Sequence, residues 1–371
     1  MNKKGYVMKQ NRGGGQQGST AQNLLDSSNN GAESVTQSIA DSARNISDSA
    51  ENGADSAKKQ SLSTPPIFSQ YIKSKIKSLF RFLLNVTPTG YKLKQIDVKF
   101  TQKIDALLKF TPQPCLQYLE VYITEHCNLN CKHCAPFSPI AVKSFYDIEV
   151  FARDMERLSE LSNQTLCKLR ILGGEPLLHP KCEEFLKIAR NNFPHTSIHL
   201  VTNAILLNKQ KDSFFETCRD YKIAITPTKY PVKIDFKAIE KKIAEFGVEF
   251  FYNNEGQVEK TLFHQPLDLK GEQNPNLMFY KCAWANGCIG LDNGKLYTCP
   301  YPRSIKSFNA YFGKNLLVSP NDYIDIYKAK SMDEILTFLA KPIPFCRYCD
   351  LNRLSWDNKW ERSKRKIEEW I

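Results

Sequence analysis

From about residue 116 the chain alternates short apolar runs with longer amphipathic stretches. Tyr118–Thr124, Leu169–Leu172, Ser197–Thr202, Lys222–Thr226 and Val248–Tyr252 are short and rich in β-branched and aromatic residues, and they predict strands. The stretches between them, Asp147–Leu161, Pro180–Asn192, Gln210–Cys218 and Asp235–Phe246, predict helices. Pro180 suits a first helical turn, where its missing N–H is not needed. Strands alternating with helices imply an α/β fold with a parallel sheet and right-handed crossovers. The alternation stops near 270–280, so a core is expected over 116–275 and a second unit over 276–371. There Asn293-Gly294 signals a tight hairpin turn, and Ser331-Met-Asp-Glu334 is a capping box that opens a helix.

The first 66 residues break this pattern. They are built from Ser, Asn, Ala, Gly, Gln and Asp and contain a degenerate seven-residue repeat from Ser38 to Lys58. Each repeat offers at most Ile and Ala, and the third has Gly53 in place of Ile. That cannot bury enough surface to offset ordering entropy, so a disordered tail is expected, ended by Pro65-Pro66. Residues 67–115 form a basic lead-in. Ile72, Ile76, Leu79 and Leu83 fall at helical spacing between Lys73, Lys75, Lys77 and Arg81. Such a helix over 67–86 can lie on a membrane surface or pack on the catalytic domain, and packing is the reading adopted.

Composition narrows the class. No apolar run reaches the roughly 18 residues of a membrane span. The N-terminus lacks the apolar segment of a secretory signal, so a cytoplasmic location is expected. The net charge is +12, from 51 Lys and Arg against 39 Asp and Glu. The excess concentrates in the lead-in and could favour an acidic partner, although a solvated basic face is the plainer reading. Twelve cysteines in a reducing compartment are not expected to form structural disulfides. At short spacings they read as metal or cluster ligands.

Cys127, Cys131 and Cys134 lie within eight residues, directly after a predicted strand. Three thiolates there can converge on one centre and leave a position open for a ligand; a structural zinc with a distant fourth ligand is the competing reading. Gly173-Gly-Glu-Pro176 follows the second predicted strand, and its two glycines let a ligand approach the backbone closely. Glu175 offers a carboxylate to an ammonium group, and Val201-Thr-Asn203 ends the third strand. In sheets of parallel strands, chemistry sits in loops at the C-terminal ends.

The C-x3-C-x2-C spacing, with these two segments in this order, resembles the radical S-adenosylmethionine (SAM) superfamily over roughly residues 116–350. The family usually has an aromatic residue before the third cysteine, where this chain has His133. The resemblance implies a partial (β/α)6 TIM-like barrel and a [4Fe–4S] cluster on Cys127, Cys131 and Cys134. It also implies S-adenosylmethionine held near His133, Gly173, Gly174, Glu175, Pro176, Thr202 and Asn203. One electron, from a flavodoxin- or ferredoxin-type reductant, would break the sulfonium C–S bond and give methionine and a 5′-deoxyadenosyl radical. That radical would remove hydrogen from a substrate C–H bond.

The C-terminal unit carries Cys282, Cys288, Cys299, Cys346 and Cys349. Cys282 and Cys299 flank the Asn293-Gly294 hairpin, and Cys346-x2-Cys349 is a second pair, so four cysteines can close a site. Spacing alone leaves a structural zinc and an iron–sulfur cluster equally open. The spacing also resembles the twitch domain, a shortened relative of SPASM, as found in the aminocyclitol dehydrogenase of butirosin biosynthesis. The resemblance implies a second [4Fe–4S] cluster on Cys282, Cys299, Cys346 and Cys349, with Cys288 as a substitute for Cys282. Cys182 and Cys218 read as small buried hydrophobes, while Cys115 and Cys167 are unassigned.

Tyr230 and Arg303 sit near suitable segments for acid–base work by position alone. Trp356, Trp360 and Trp370 stand among basic residues and are expected to line one face of a C-terminal helix packed on the barrel; no specific nucleic acid is expected. The expected activity is oxidation or modification of a sugar, aminocyclitol or small polar metabolite. Peptide modification, glycyl-radical activation of a partner protein and a non-enzymatic metal-binding module remain as alternatives.

Overall fold

The computed structural model describes residue 104 and residues 107–371, all within one compact unit, Lys92–Ile371. The expected tail (1–66), the basic helix (67–86) and most of the lead-in fall outside the described residues.

The architecture is mixed α/β. Four complete strand–helix units come first: β1 (Leu116–Thr124) and α1 (Ile148–Leu161), β2 (Leu166–Gly173) and α2 (Cys182–Asn192), β3 (Ser197–Thr202) and α3 (Asp212–Asp220), β4 (Ile223–Pro227) and α4 (Phe236–Phe246). Then follow β5 (Thr261–His264), α5 (Pro275–Lys281), β6 (Gly290–Asp292), β7 (Lys295–Tyr297) and α6 (Pro300–Phe312). The chain ends through β8 (Ile324–Asp325), α7 (Met332–Leu339) and β9 (Ser355–Lys359). The main sheet has seven strands in the order β4-β3-β2-β1-β6-β7-β8, while β5 and β9 form a separate antiparallel pair. Strands β1 to β4 and β6 are parallel, so the sheet is mostly parallel, with four complete strand–helix units where the resemblance implies six. The β6–β7 hairpin turns at Asn293 and Gly294, both with positive φ. Through β6, residues beyond 275 pair directly with β1.

Strand alternation divides the sheet into two chemically different faces. Leu119, Val121, Ile123, Leu169, Ile171, Ile198, Leu200, Ile223 and Ile225 are buried against Phe151, Met155, Phe185 and Phe214 of the helices. The other face carries Tyr118, Glu120 and Tyr122 of β1, Arg170 of β2, His199 of β3 and Thr226 of β4. Asp147 caps α1 by accepting from the N–H groups of Glu149 and Val150, and Ser331 caps α7 by accepting from Glu334 N.

Three expectations change. The strand expected over Val248–Tyr252 is reduced to one bridge, Phe250 with Ile225, because the chain turns away at Asn253–Gly256 with Asn254 and Glu255 left-handed. Helix α2 begins at Cys182, not Pro180: the turn before it closes on His179, whose Nδ1 accepts from Lys181 N. The C-terminal helix is absent: 355–359 is strand β9, paired with β5, and 367–369 is a single 3-10 turn. A second apolar core, around Phe137, Tyr301, Phe308 and Trp370, encloses Cys282, Cys299, Cys346 and Cys349.

Candidate metal and cofactor site

The loop after β1 carries Cys127, Cys131 and Cys134, and the loops after β2 and β3 close in on it. A cavity of about 280 Å³ is lined by all three cysteines, by His133, by Gly173 to Glu175 and by Thr202 and Asn203. The sequence-predicted residues, apart from Pro176, therefore line one cavity. Pro176 is buried just behind it and opens a 3-10 turn.

The two glycines act in a way the sequence did not suggest. Gly174 N donates to Thr124 O at 2.9 Å and Glu175 N to His126 O at 3.1 Å. A Cβ on Gly174 would overlap the His126 carbonyl, and one on Gly173 would strike Thr124. The close approach is thus between the protein's own loops: the β2 exit is zipped onto the backbone leading to Cys127.

Glu175 lines the cavity from the loop after β2. It is wholly buried. Oε1 accepts from Thr202 Oγ1 at 2.7 Å and Leu177 N at 3.2 Å, and Oε2 accepts from Asn203 N at 2.8 Å. The carboxylate ties the β2 and β3 loops together. Burial pushes its pKa up to about 7, against the lowering effect of those three donors.

N–H groups reach the cysteine loop at sulfur and at backbone. Asn203 Nδ2 lies 3.6 Å from Cys127 Sγ and donates to Asn128 Oδ1 at 2.7 Å. Trp360 Nε1 donates to Cys131 Sγ at 3.3 Å, and Trp370 Nε1 to Cys134 O at 3.0 Å. His133 has φ of 58°, donates through Nδ1 to Glu369 O at 2.6 Å, and stacks on His264 with centroids 4.0 Å apart. Burial pushes the Cys131 and Cys134 thiols up to about 12, with neighbouring thiols of the set adding to it. Tyr230, on the cavity wall, has its hydroxyl pKa raised by burial and then by the same three cysteines.

The second set also converges. Cys282, Cys299, Cys346 and Cys349 are all buried in the C-terminal core. Burial raises each thiol, and charge on Cys282, Cys346 and Cys349 raises Cys299 further. The Cys288 thiol is raised by burial, then by Glu120 on the polar face of the sheet, then by Cys282. Among the described residues, no group of three or more His, Cys, Asp and Glu side chains is arranged to hold a metal ion.

Arg303, singled out in the sequence by position alone, comes from α6, grips Glu125 with two 2.9 Å bonds and lies over the Tyr122 ring at 4.0 Å. Several other site residues escaped the sequence reading. Burial works against the Glu125 carboxylate, but Arg303 and Lys306 outweigh it and hold the pKa below the usual value. Beneath the cavity, Tyr118 and Tyr122 donate to the two oxygens of Glu120 at 2.5 and 2.7 Å. Arg170 donates to Tyr118 at 2.8 Å, and His199 bonds Thr226 Oγ1 at 2.8 Å. One signal was available for this row: polar residues at alternate positions of an otherwise apolar strand. Of the unassigned cysteines, Cys182 and Cys218 are buried as expected, while Cys115 and Cys167 meet at 3.7 Å at the far end of β1 and β2.

Residues 121–243 match the family described as Radical SAM superfamily. The GTP 3′,8-cyclase of Sulfurovum sp. (strain NBC37-1) is 33% identical over 92 residues, 25% of this chain and 28% of that protein. The GTP 3′,8-cyclase of Chlorobaculum tepidum is 29% identical over 105 residues, 28% of this chain and 31% of that protein. The chain thus spans under a third of these curated relatives. Among solved structures, BtrN in complex with AdoMet and 2-DOIA is 15% identical with a TM-score of 0.40, covering 64% of this chain and 94% of that chain.

Proposed function

The chain is built around a Radical SAM superfamily domain, and on that premise we propose that it is a radical SAM enzyme acting on a small polar metabolite, a sugar or aminocyclitol being the favoured class. Its cofactors are a [4Fe–4S] cluster and S-adenosylmethionine. The donor set fits the cluster: three half-buried thiols on one cavity wall, with pKa values pushed up by desolvation, ionise together most readily beside a cationic centre. A lone tetrahedral zinc, with bonds of about 2.3 Å, needs sulfurs within about 4 Å of one another, whereas an iron–sulfur cube spreads them wider.

When bound, cluster and cofactor supply reductive C–S cleavage and hydrogen abstraction from carbon. The protein's own residues set the geometry. Gly173 and Gly174 lock the β2 loop against the cysteine loop. Glu175 fastens that loop to Thr202 and Asn203. His133, Thr228 and Tyr230 wall the cavity, and the sheet below excludes bulk water.

One observation supports the substrate class. Leu172, Val201 and Thr228 line the cavity. By strand alternation, Arg170, His199 and Thr226 lie on the same face one step deeper. In register beside Arg170 is Glu120, with Tyr118 and Tyr122 on its oxygens. A row of acceptors and donors in such a position suits hydroxyl and amino groups better than an apolar chain. Cys282, Cys299, Cys346 and Cys349 would hold a second cluster able to take an electron from an oxidised substrate.

The test begins with iron, sulfide and zinc per chain after anaerobic reconstitution. It continues with 5′-deoxyadenosine formation against a panel of aminocyclitols, sugars, nucleotides including GTP, and peptides. About eight iron per chain, with turnover stimulated by an aminocyclitol or sugar, is expected. Stimulation by peptides alone would overturn the substrate class. Zinc without iron, and no cleavage, would overturn the enzyme itself.

A further inference from the structure

The chain's last residues are built into the cysteine loop. Ser363 N donates to Asn130 O at 2.8 Å, and Lys132 N donates to Glu361 O at 3.0 Å. Cys131 forms an antiparallel bridge with Arg362. His133 reaches Glu369 O, and Trp370 reaches Cys134 O. Every residue from Asn130 to Cys134 therefore meets the segment 361–370, which is anchored at both ends. Trp360 N donates to Lys260 O beside the β5–β9 pair, and Leu267 N to Trp370 O at 2.7 Å. Trp370 itself is 1% exposed in the C-terminal core.

At the start of this strap, the Trp360 indole N–H points at Cys131 Sγ from 3.3 Å. We propose that residues 360–370 form a strap over the cluster loop, and that Trp360 is a positioning residue setting the reduction potential of the centre on Cys127, Cys131 and Cys134. The inference rests on the cluster reading above. One-electron reduction adds a negative charge that spreads onto the cysteine sulfurs. An N–H donor aimed at a sulfur stabilises the more negative state and raises the potential. Cys127 Sγ is reached by Leu129 N at 3.4 Å and Asn203 Nδ2 at 3.6 Å, whereas the indole of Trp360, at 3.3 Å, is the side-chain donor that the strap itself brings to Cys131. The backbone bonds of the strap hold that indole in place.

The experiment is an anaerobic potentiometric titration followed by electron paramagnetic resonance. It compares reconstituted wild type with Trp360→Phe, which keeps a ring but loses the N–H. Trp356→Phe is the control, since that indole packs on Phe263 and is 57% exposed. Trp360→Phe should hold wild-type iron and sulfide, titrate at a more negative potential and show altered g-values, while Trp356→Phe should match wild type. Ser363→Pro removes a strap N–H and should lose iron several-fold faster in air. A cluster-loaded Trp360→Phe with the wild-type potential and spectrum would overturn this inference alone. A wild-type chain that takes up no iron would overturn the cluster reading and this inference with it.

Discussion

Replacing Glu175 by Gln isolates one buried charge. The folded-state pKa of about 7, against an ordinary 4.5, means that the native protein resists ionising this group. The unfolded chain releases the proton first, so stability attributable to Glu175 is fully present below pH 4.5 and is lost as pH rises through about 7. At 1.36 kcal/mol per pH unit, that displacement amounts to roughly 3 kcal/mol. Glutamine keeps an oxygen for Thr202 and Leu177 but sets an NH2 group against Asn203 N–H, at a pH-independent cost of about 1–3 kcal/mol. The variant should thus be less stable than wild type at low pH. Its deficit should shrink by roughly 3 kcal/mol between pH 4.5 and 8. Urea unfolding of the full chain at several pH values in that window measures this, and histidine contributions cancel in the difference. A deficit that stays constant across the window would refute the reasoning.

Gly174→Ala should force the cysteine loop away from the His126 carbonyl, costing about 1–3 kcal/mol in unfolding and leaving substoichiometric iron after reconstitution. Trp370→Ala empties a fully buried site in the C-terminal core and should lower stability by about 3–5 kcal/mol in the same assay. Arg303→Met leaves Glu125 without its two-pronged partner and should cost about 3–5 kcal/mol, read as a lower thermal midpoint. Alanine at Cys299 or Cys349 should remove about four iron per chain while C288A retains the full complement, as iron analysis will show.

Much of the fold was legible because its signals are local. Strand β3 has the expected boundaries and β1, β2 and β4 lie within a few residues of theirs, since short β-branched runs between amphipathic helices have few other solutions. The fifth strand failed because pairing depends on where Asn253–Gly256 sends the chain, which apolar content does not encode. The tail failed for a similar reason. Three tryptophans at helix-compatible spacing were equally compatible with a strand, and the partners of Trp360 and Trp370 are Cys131 and Cys134, more than 200 residues away.

The sequence alone determined the chemistry on offer: the C-x3-C-x2-C loop after a strand, the Gly-Gly-Glu-Pro turn and the four C-terminal cysteines are ligand types at spacings that persist in any fold placing them together. Tertiary structure decided how each is used. It made Glu175 a tie between loops, made the two glycines a contact between backbones, and laid the C-terminal strap across the first cysteine set. Hydrogen-bond partners and burial are set by residues distant in sequence, so these assignments exist only once β1, β2, β3 and the chain's end are packed against one another.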